Sequence, residues 1–89
     1  MKDLVAFISC VNNEDLYSKC LYHIKKLDIP EGYTYETIAI RGAKSLASGY
    51  NQAMNQSKAK FKVYLHQDTF IINTNFIFDI LRIFEKKLL

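Results

Sequence analysis

The sequence lacks the features that several classes of protein require. Its longest uninterrupted apolar run is residues 4–8, far short of the roughly 20 residues of a membrane span or the core of a signal peptide. Its two cysteines, Cys10 and Cys20, have no spacing typical of metal or redox sites, so we expect reduced core thiols. It has no G-x-G-x-x-G and no P-loop pattern. We therefore expect a cytoplasmic location and no membrane span.

The size and charge of the chain set further limits. Its 89 residues, of which 49% are hydrophobic, suit a single small domain spanning 1–89, too small for the separate binding regions of most complete two-substrate enzymes. Residues 41–89 contain eight cationic and three anionic side chains, a balance that attracts phosphates or nucleic acid. We expect no nucleic-acid partner, because the chain has no Arg-rich tract and no run of five like charges. Nucleic-acid binding through the basic second half is kept as an alternative hypothesis.

Apolar spacing predicts alternating strands and helices. We expect strands at residues 4–11, 33–40 and 61–66, since the first is almost continuously apolar and the second is rich in β-branched and aromatic residues. Asn13, Ser45 and Asn75 are candidate N-caps of three helices, of which the second spans 46–56 and the third about 76–88. The inward-facing sets are Leu16, Cys20, Ile24 and Leu27 in the first helix, and Ala47, Tyr50, Ala53 and Met54 in the second.

The order β-α-β-α-β-α predicts an α/β fold with an open, mostly parallel, three-stranded sheet and helices on both faces. The last helix has an apolar stripe at Ile77, Ile80, Leu81, Phe84 and Leu88, flanked by Phe76, Phe78, Ile83 and Leu89. This surface is wider than one sheet face needs. We expect it to be covered by polypeptide that follows residue 89 or by a second copy in a homodimer.

Ligands of open α/β sheets bind beyond the carboxyl ends of the strands. Here those ends carry two cations, Arg41 and Lys44, on either side of Gly42, and a His66–Asp68 pair after the third strand. Helix N-termini and cations favour a phosphorylated or nucleotide ligand. His66 and Asp68 are too few to hold a cation tightly, but Mg²⁺ or Mn²⁺ could bind if a diphosphate supplied more oxygens. Alternatively, Asp68 caps a turn and His66 packs against a helix.

Four segments resemble family 2-type glycosyltransferases of the GT-A fold, in their N-terminal nucleotide-sugar-binding part. The chain looks closest to a compact bacterial glycosyltransferase-like subgroup. The segments are FISCVNNE (7–14), IAIRGAKS (38–45), SGYNQAM (48–54) and YLHQD (64–68), in the family's order and spacing.

The resemblance implies a nucleotide-diphospho-sugar donor and a divalent metal, Mn²⁺ or Mg²⁺, that bridges its diphosphate. Val11 and Asn12 match the first nucleoside-binding position and Arg41 the second, while Asn51 matches the asparagine of the following helix. Asp68 matches the last Asp of the Asp-x-Asp motif, a metal ligand, and His66 replaces the first. Arg41 stands where the family usually has an acidic residue. The implied function is metal-assisted sugar transfer to an unknown acceptor.

The family's acceptor-binding half and catalytic base would follow residue 89, so no catalytic residue is assigned. We expect the chain to be the N-terminal part of a longer glycosyltransferase domain and to be inactive alone. Two alternatives come from other classes of function: a non-catalytic α/β interaction module that dimerises through the last helix, and a nucleic-acid binder that uses the basic second half.

Overall fold

The structure, a computed structural model, describes residues 3–42 and 44–87. Strands and helices alternate along the chain as the sequence predicts. The elements are β1 (Asp3–Val11), α1 (Glu14–Lys25), β2 (Tyr33–Arg41), α2 (Leu46–Gln56), β3 (Phe61–His66) and α3 (Phe76–Lys87). The predicted bounds of α2 and β3 are the observed ones, and those of β1, β2 and α3 each differ by one residue at one end.

The three strands form one parallel sheet in the order β2-β1-β3, which confirms the predicted fold class. Strand β1 lies at the centre of the sheet. Its residues Val5 to Ser9 are all buried, as expected of a strand that is covered on both faces. The register pairs Cys10 with Ile40 and with His66, so the three strands end at one edge of the sheet.

The helices cover both faces of the sheet. Val5 and Phe7 of β1 belong to a core with α1 and α3, whereas Ala6 and Ile8 belong to a second core with α2. The crossover from β1 to β2 and the crossover from β2 to β3 run in opposite directions across the sheet. Two crossovers of the same hand must then put α1 and α2 on opposite faces.

Side-chain caps fix where the first two helices begin. The Asn13 side chain accepts a hydrogen bond from the Leu16 N–H at 3.2 Å, and Ser45 and Ser48 form a reciprocal capping box. Both predicted caps are confirmed. At the start of α3, the Asn75 carbonyl accepts from the Asp79 N–H at 3.0 Å.

The inward face of α2 is narrower than predicted. Ala53 is buried and Tyr50 is half-buried, but Ala47 is exposed and Met54 is 51% exposed. The prediction for these two side chains was wrong because α2 faces the sheet with a narrow stripe that includes Ala53 and Tyr50, whose ring packs against Tyr64 of β3 with centroids 4.7 Å apart. The predicted inward face of α1 is correct at Cys20, Ile24 and Leu27.

Helix α3 packs against the same face of the sheet as α1. Ile77 and Leu81 are buried, whereas Phe78 and Ile83 on its two flanks are 42% and 54% exposed. The apolar surface of α3 is therefore wider than the sheet covers, as predicted. The predictions for the side chain of Phe84 and for Leu88 and Leu89 lie outside the described residues. In the described part of the chain, every helix is too short or too polar to cross a membrane.

Candidate functional site

A cleft of 450 Å³ opens at the carboxyl edge of the sheet, where the three strands end. Its floor is apolar and its rim is polar. The residues that line it are Cys10, Val11, Asn12, Leu16, Ile40, Gly42, Ser45, His66, Gln67 and Asp68. The cleft therefore combines an apolar base with backbone amides, an imidazole and a carboxylate, a combination typical of sites for small polar ligands.

Gly42 turns the chain out of β2 towards α2. Its φ of 73° lies in the left-handed region, which other residues rarely adopt. Apart from the two chain neighbours of Gly42, no atom of the described residues lies within 4 Å of the place a Cβ would take. A ligand can consequently approach the backbone closely at this point. Ser45, three residues later, lines the cleft at the N-terminus of α2, and its hydroxyl accepts from the Ser48 N–H at 3.1 Å.

Gln67 joins the end of β3 to the end of β1. Its Oε1 accepts hydrogen bonds from the N–H groups of Asn12 and Asn13, both at 2.9 Å, and its Nε2 donates to Asn12 Oδ1. These bonds connect loops that are 54 to 55 residues apart in the sequence. They hold two walls of the cleft at a fixed separation.

His66 and Asp68 line the cleft on either side of Gln67, and both are exposed. The turn that contains them is closed by backbone atoms, since the Thr69 N–H donates to the His66 carbonyl at 2.9 Å. Within the described residues, the Asp68 carboxylate makes no hydrogen bond and no ion pair. Burial, with a smaller effect of the negative charge of Asp68, raises the pKa of the Cys20 thiol. A carboxylate without a protein partner is free to bind a cation or a donor group of a ligand.

His66 and Asp68 offer two donor side chains for a metal ion. The described residues contain no group of three or more His, Cys, Asp or Glu side chains that could hold one. Divalent cations such as Mg²⁺ typically bind one or two carboxylates and take further oxygens from a phosphorylated ligand. The pair therefore fits a cation that arrives with a diphosphate, and does not fit a permanent protein-only metal centre.

Arg41 and Glu14 form a bidentate ion pair beside the cleft. Arg41 Nε donates to Glu14 Oε2 at 3.0 Å and Nη2 donates to Oε1 at 2.7 Å. The hydrogen bond from Arg41 lowers the pKa of Glu14, and the same bond raises the pKa of Arg41. The Arg41 guanidinium also lies 5.9 Å from the centre of the Tyr17 ring. Both charged side chains are more than half exposed, so the pair orients Arg41 without stabilising the fold greatly.

The structure brings together only some of the residues predicted from the sequence. Those that line the cleft are Val11, Asn12, His66 and Asp68, whereas Arg41, Lys44 and Asn51 are exposed and are not among its lining residues. Sequence reasoning missed Gln67, because nothing near it in the chain indicates a partner 55 residues away. It also missed the pairing of Glu14 with Arg41, although an acid at a helix start and a cation at a strand end were both visible.

Residues 6–88 match the model of the Glycosyltransferase like family, a range that runs from within β1 past the end of α3. Searches of curated proteins and of solved structures found no match. The family match covers far more than half of the chain and includes every residue that lines the cleft. The protein is therefore a member of the Glycosyltransferase like family.

Proposed function

We propose that the cleft binds a nucleotide-diphospho-sugar and that the chain is the donor-binding part of a GT-A-type glycosyltransferase. The observation that carries this proposal is the Asp68 carboxylate, which has no hydrogen-bond or ion-pair partner among the described residues, in a cleft bordered by the N-termini of two helices. Helix N-termini attract phosphate, and a carboxylate at the same edge attracts the cation that accompanies it. Membership of the family supports a transferase and, in general, a nucleotide-sugar donor.

The nucleoside lies, in this proposal, against the end of β1. Val11 is 6% exposed and contributes to the apolar floor, while Asn12 presents polar groups at the rim. The diphosphate lies towards Gly42 and Ser45, where the backbone is accessible and α2 begins. Asn51, which is exposed on α2, would contact the donor from that side.

Two cations near Gly42 would neutralise phosphate charge. Lys44 is exposed, whereas the Arg41 guanidinium is held by Glu14. Arg41 can reach a diphosphate only if it shares or leaves this carboxylate. We therefore assign Lys44 as the more available cation and expect Glu14 to weaken the contribution of Arg41.

Asp68, with His66 beside it, would hold a divalent cation, Mn²⁺ or Mg²⁺. When bound, the cation would stabilise the negative charge of the departing nucleoside diphosphate. The protein's own contribution is to place one carboxylate and one imidazole next to the diphosphate and to keep the floor of the cleft apolar. The acceptor and the group that deprotonates it are not assigned.

Calorimetric titration with UDP, GDP, ADP and CDP, each with and without Mn²⁺, tests the proposal. We expect binding of at least one nucleoside diphosphate, strengthened by Mn²⁺. The D68N variant should weaken binding in Mn²⁺ by about tenfold or more, equivalent to about 1.4 kcal/mol or more. The matched control is D28N, which removes the same charge from an exposed site at the other end of α1 and should bind as the wild type does. Folded wild-type protein that binds none of the four would contradict the proposal.

A second candidate function is a non-catalytic interaction module that dimerises through α3. It is favoured by the exposure of Phe78 and Ile83, two large apolar side chains on that helix. Analytical ultracentrifugation distinguishes it: a dimer that F78S and I83S dissociate, and that nucleotides do not affect, would support it. A monomer at all concentrations would exclude it.

A further inference from the structure

Both polar atoms of the Gln67 side-chain amide form hydrogen bonds that connect the two walls of the cleft. Its oxygen accepts from the Asn12 and Asn13 N–H groups at 2.9 Å, and its nitrogen donates to the Asn12 side chain. Asn12 is at the end of β1, where the nucleoside is proposed to lie. Gln67 itself comes directly before Asp68, the proposed cation ligand.

The position of Asp68 depends on contacts made by its neighbours. The Asp68 carboxylate has no partner among the described residues. Two contacts of neighbouring residues therefore position the Asp68 backbone: the bonds of Gln67, and the turn in which the Thr69 N–H donates to the His66 carbonyl. The next contact along the chain is made by Phe70, whose ring stacks on His23 of α1 with centroids 5.5 Å apart. Of these contacts, those of Gln67 reach Asn12 and Asn13, directly after β1, and they add to the pairing of His66 with Cys10 in the sheet.

We infer that Gln67 couples cation binding at Asp68 to nucleotide binding at the end of β1, so that each ligand strengthens the other through the protein. This inference rests on the proposed function. Because Gln67 holds Asp68 at a fixed position relative to the end of β1, a cation on Asp68 meets the diphosphate of a nucleotide at β1 without a rearrangement of the cleft. Such coupling is reciprocal: nucleotide must strengthen cation binding by the same factor.

The coupling factor is the ratio of the nucleotide Kd without Mn²⁺ to the Kd with saturating Mn²⁺, measured by calorimetry with the best-binding nucleoside diphosphate. Direct contact between cation and diphosphate contributes to this factor in every variant. In Q67A we expect the factor to fall about fivefold or more, a typical coupling strength, while the Kd without Mn²⁺ changes less than about twofold. The control is Q52A, the same substitution at an exposed position of α2, which should keep the wild-type factor.

A wild-type coupling factor in Q67A would overturn the inference and leave the proposed function standing. If the wild type binds no nucleoside diphosphate with or without Mn²⁺, the proposed function and the inference that rests on it both fail.

Discussion

Replacing Ile77 by alanine should destabilise the protein far more than the same change at Ile83 on the same helix. Ile77 is fully buried against the sheet, whereas Ile83 is 54% exposed. The substitution removes three carbon atoms, each worth about 0.8 kcal/mol when buried, and leaves a cavity that adds to the cost. We expect I77A to lower the free energy of unfolding by about 3 kcal/mol and I83A by less than about 1 kcal/mol.

Urea unfolding followed by circular dichroism at 222 nm measures both variants. The change in intrinsic helix propensity is the same at both positions and cancels in the comparison. At about 4 to 8 °C per kcal/mol, I77A should also melt roughly 12 to 24 °C below the wild type. Equal destabilisation by the two variants would refute the placement of α3, because it would mean that Ile77 and Ile83 are equally buried.

Further predictions concern the cleft and its surroundings. Iodoacetamide should alkylate Cys10, which lines the cleft, faster than Cys20, whose burial raises its pKa, and nucleotide with Mg²⁺ should slow the reaction at Cys10. S45A should lower the free energy of unfolding by about 1 kcal/mol through loss of the α2 cap, measured in urea. R41M should return the pKa of Glu14 towards its usual value in an NMR titration. Because that pKa is lowered in the folded state, the associated stability should exist above the unfolded pKa and be lost as pH falls through the folded one.

Local patterns were sufficient to predict the fold from the sequence. The apolar run of β1 and the capping side chains of Asn13 and Ser45 each depend on neighbours a few residues away. The predicted inward face of α2 was too wide, since Met54 is exposed. The width of the buried face depends on which strands lie beneath the helix, and strand order cannot be read from local spacing. Local spacing therefore predicts where helices and strands lie, but not how much of each helix face the sheet buries.

The candidate site was predictable only in part. Parallel strand ends must meet at one edge, so Asn12 and Asp68 could be placed in one cleft from the sequence. The bonds of Gln67 to the end of β1 required the three-dimensional arrangement, since the partners are 54 to 55 residues apart. The same holds for the direction of Arg41, which Glu14 turns towards α1.

The most direct test of the donor cleft is a map of amide chemical shifts in the ¹⁵N-labelled protein on addition of the best-binding nucleoside diphosphate with Mg²⁺. The account predicts the largest changes at Cys10, Asn12, Gly42 and Asp68, around the cleft. It also predicts little change at Ile83 on the outer side of α3. Changes centred on α3, or none at the strand ends while the ligand binds, would contradict it.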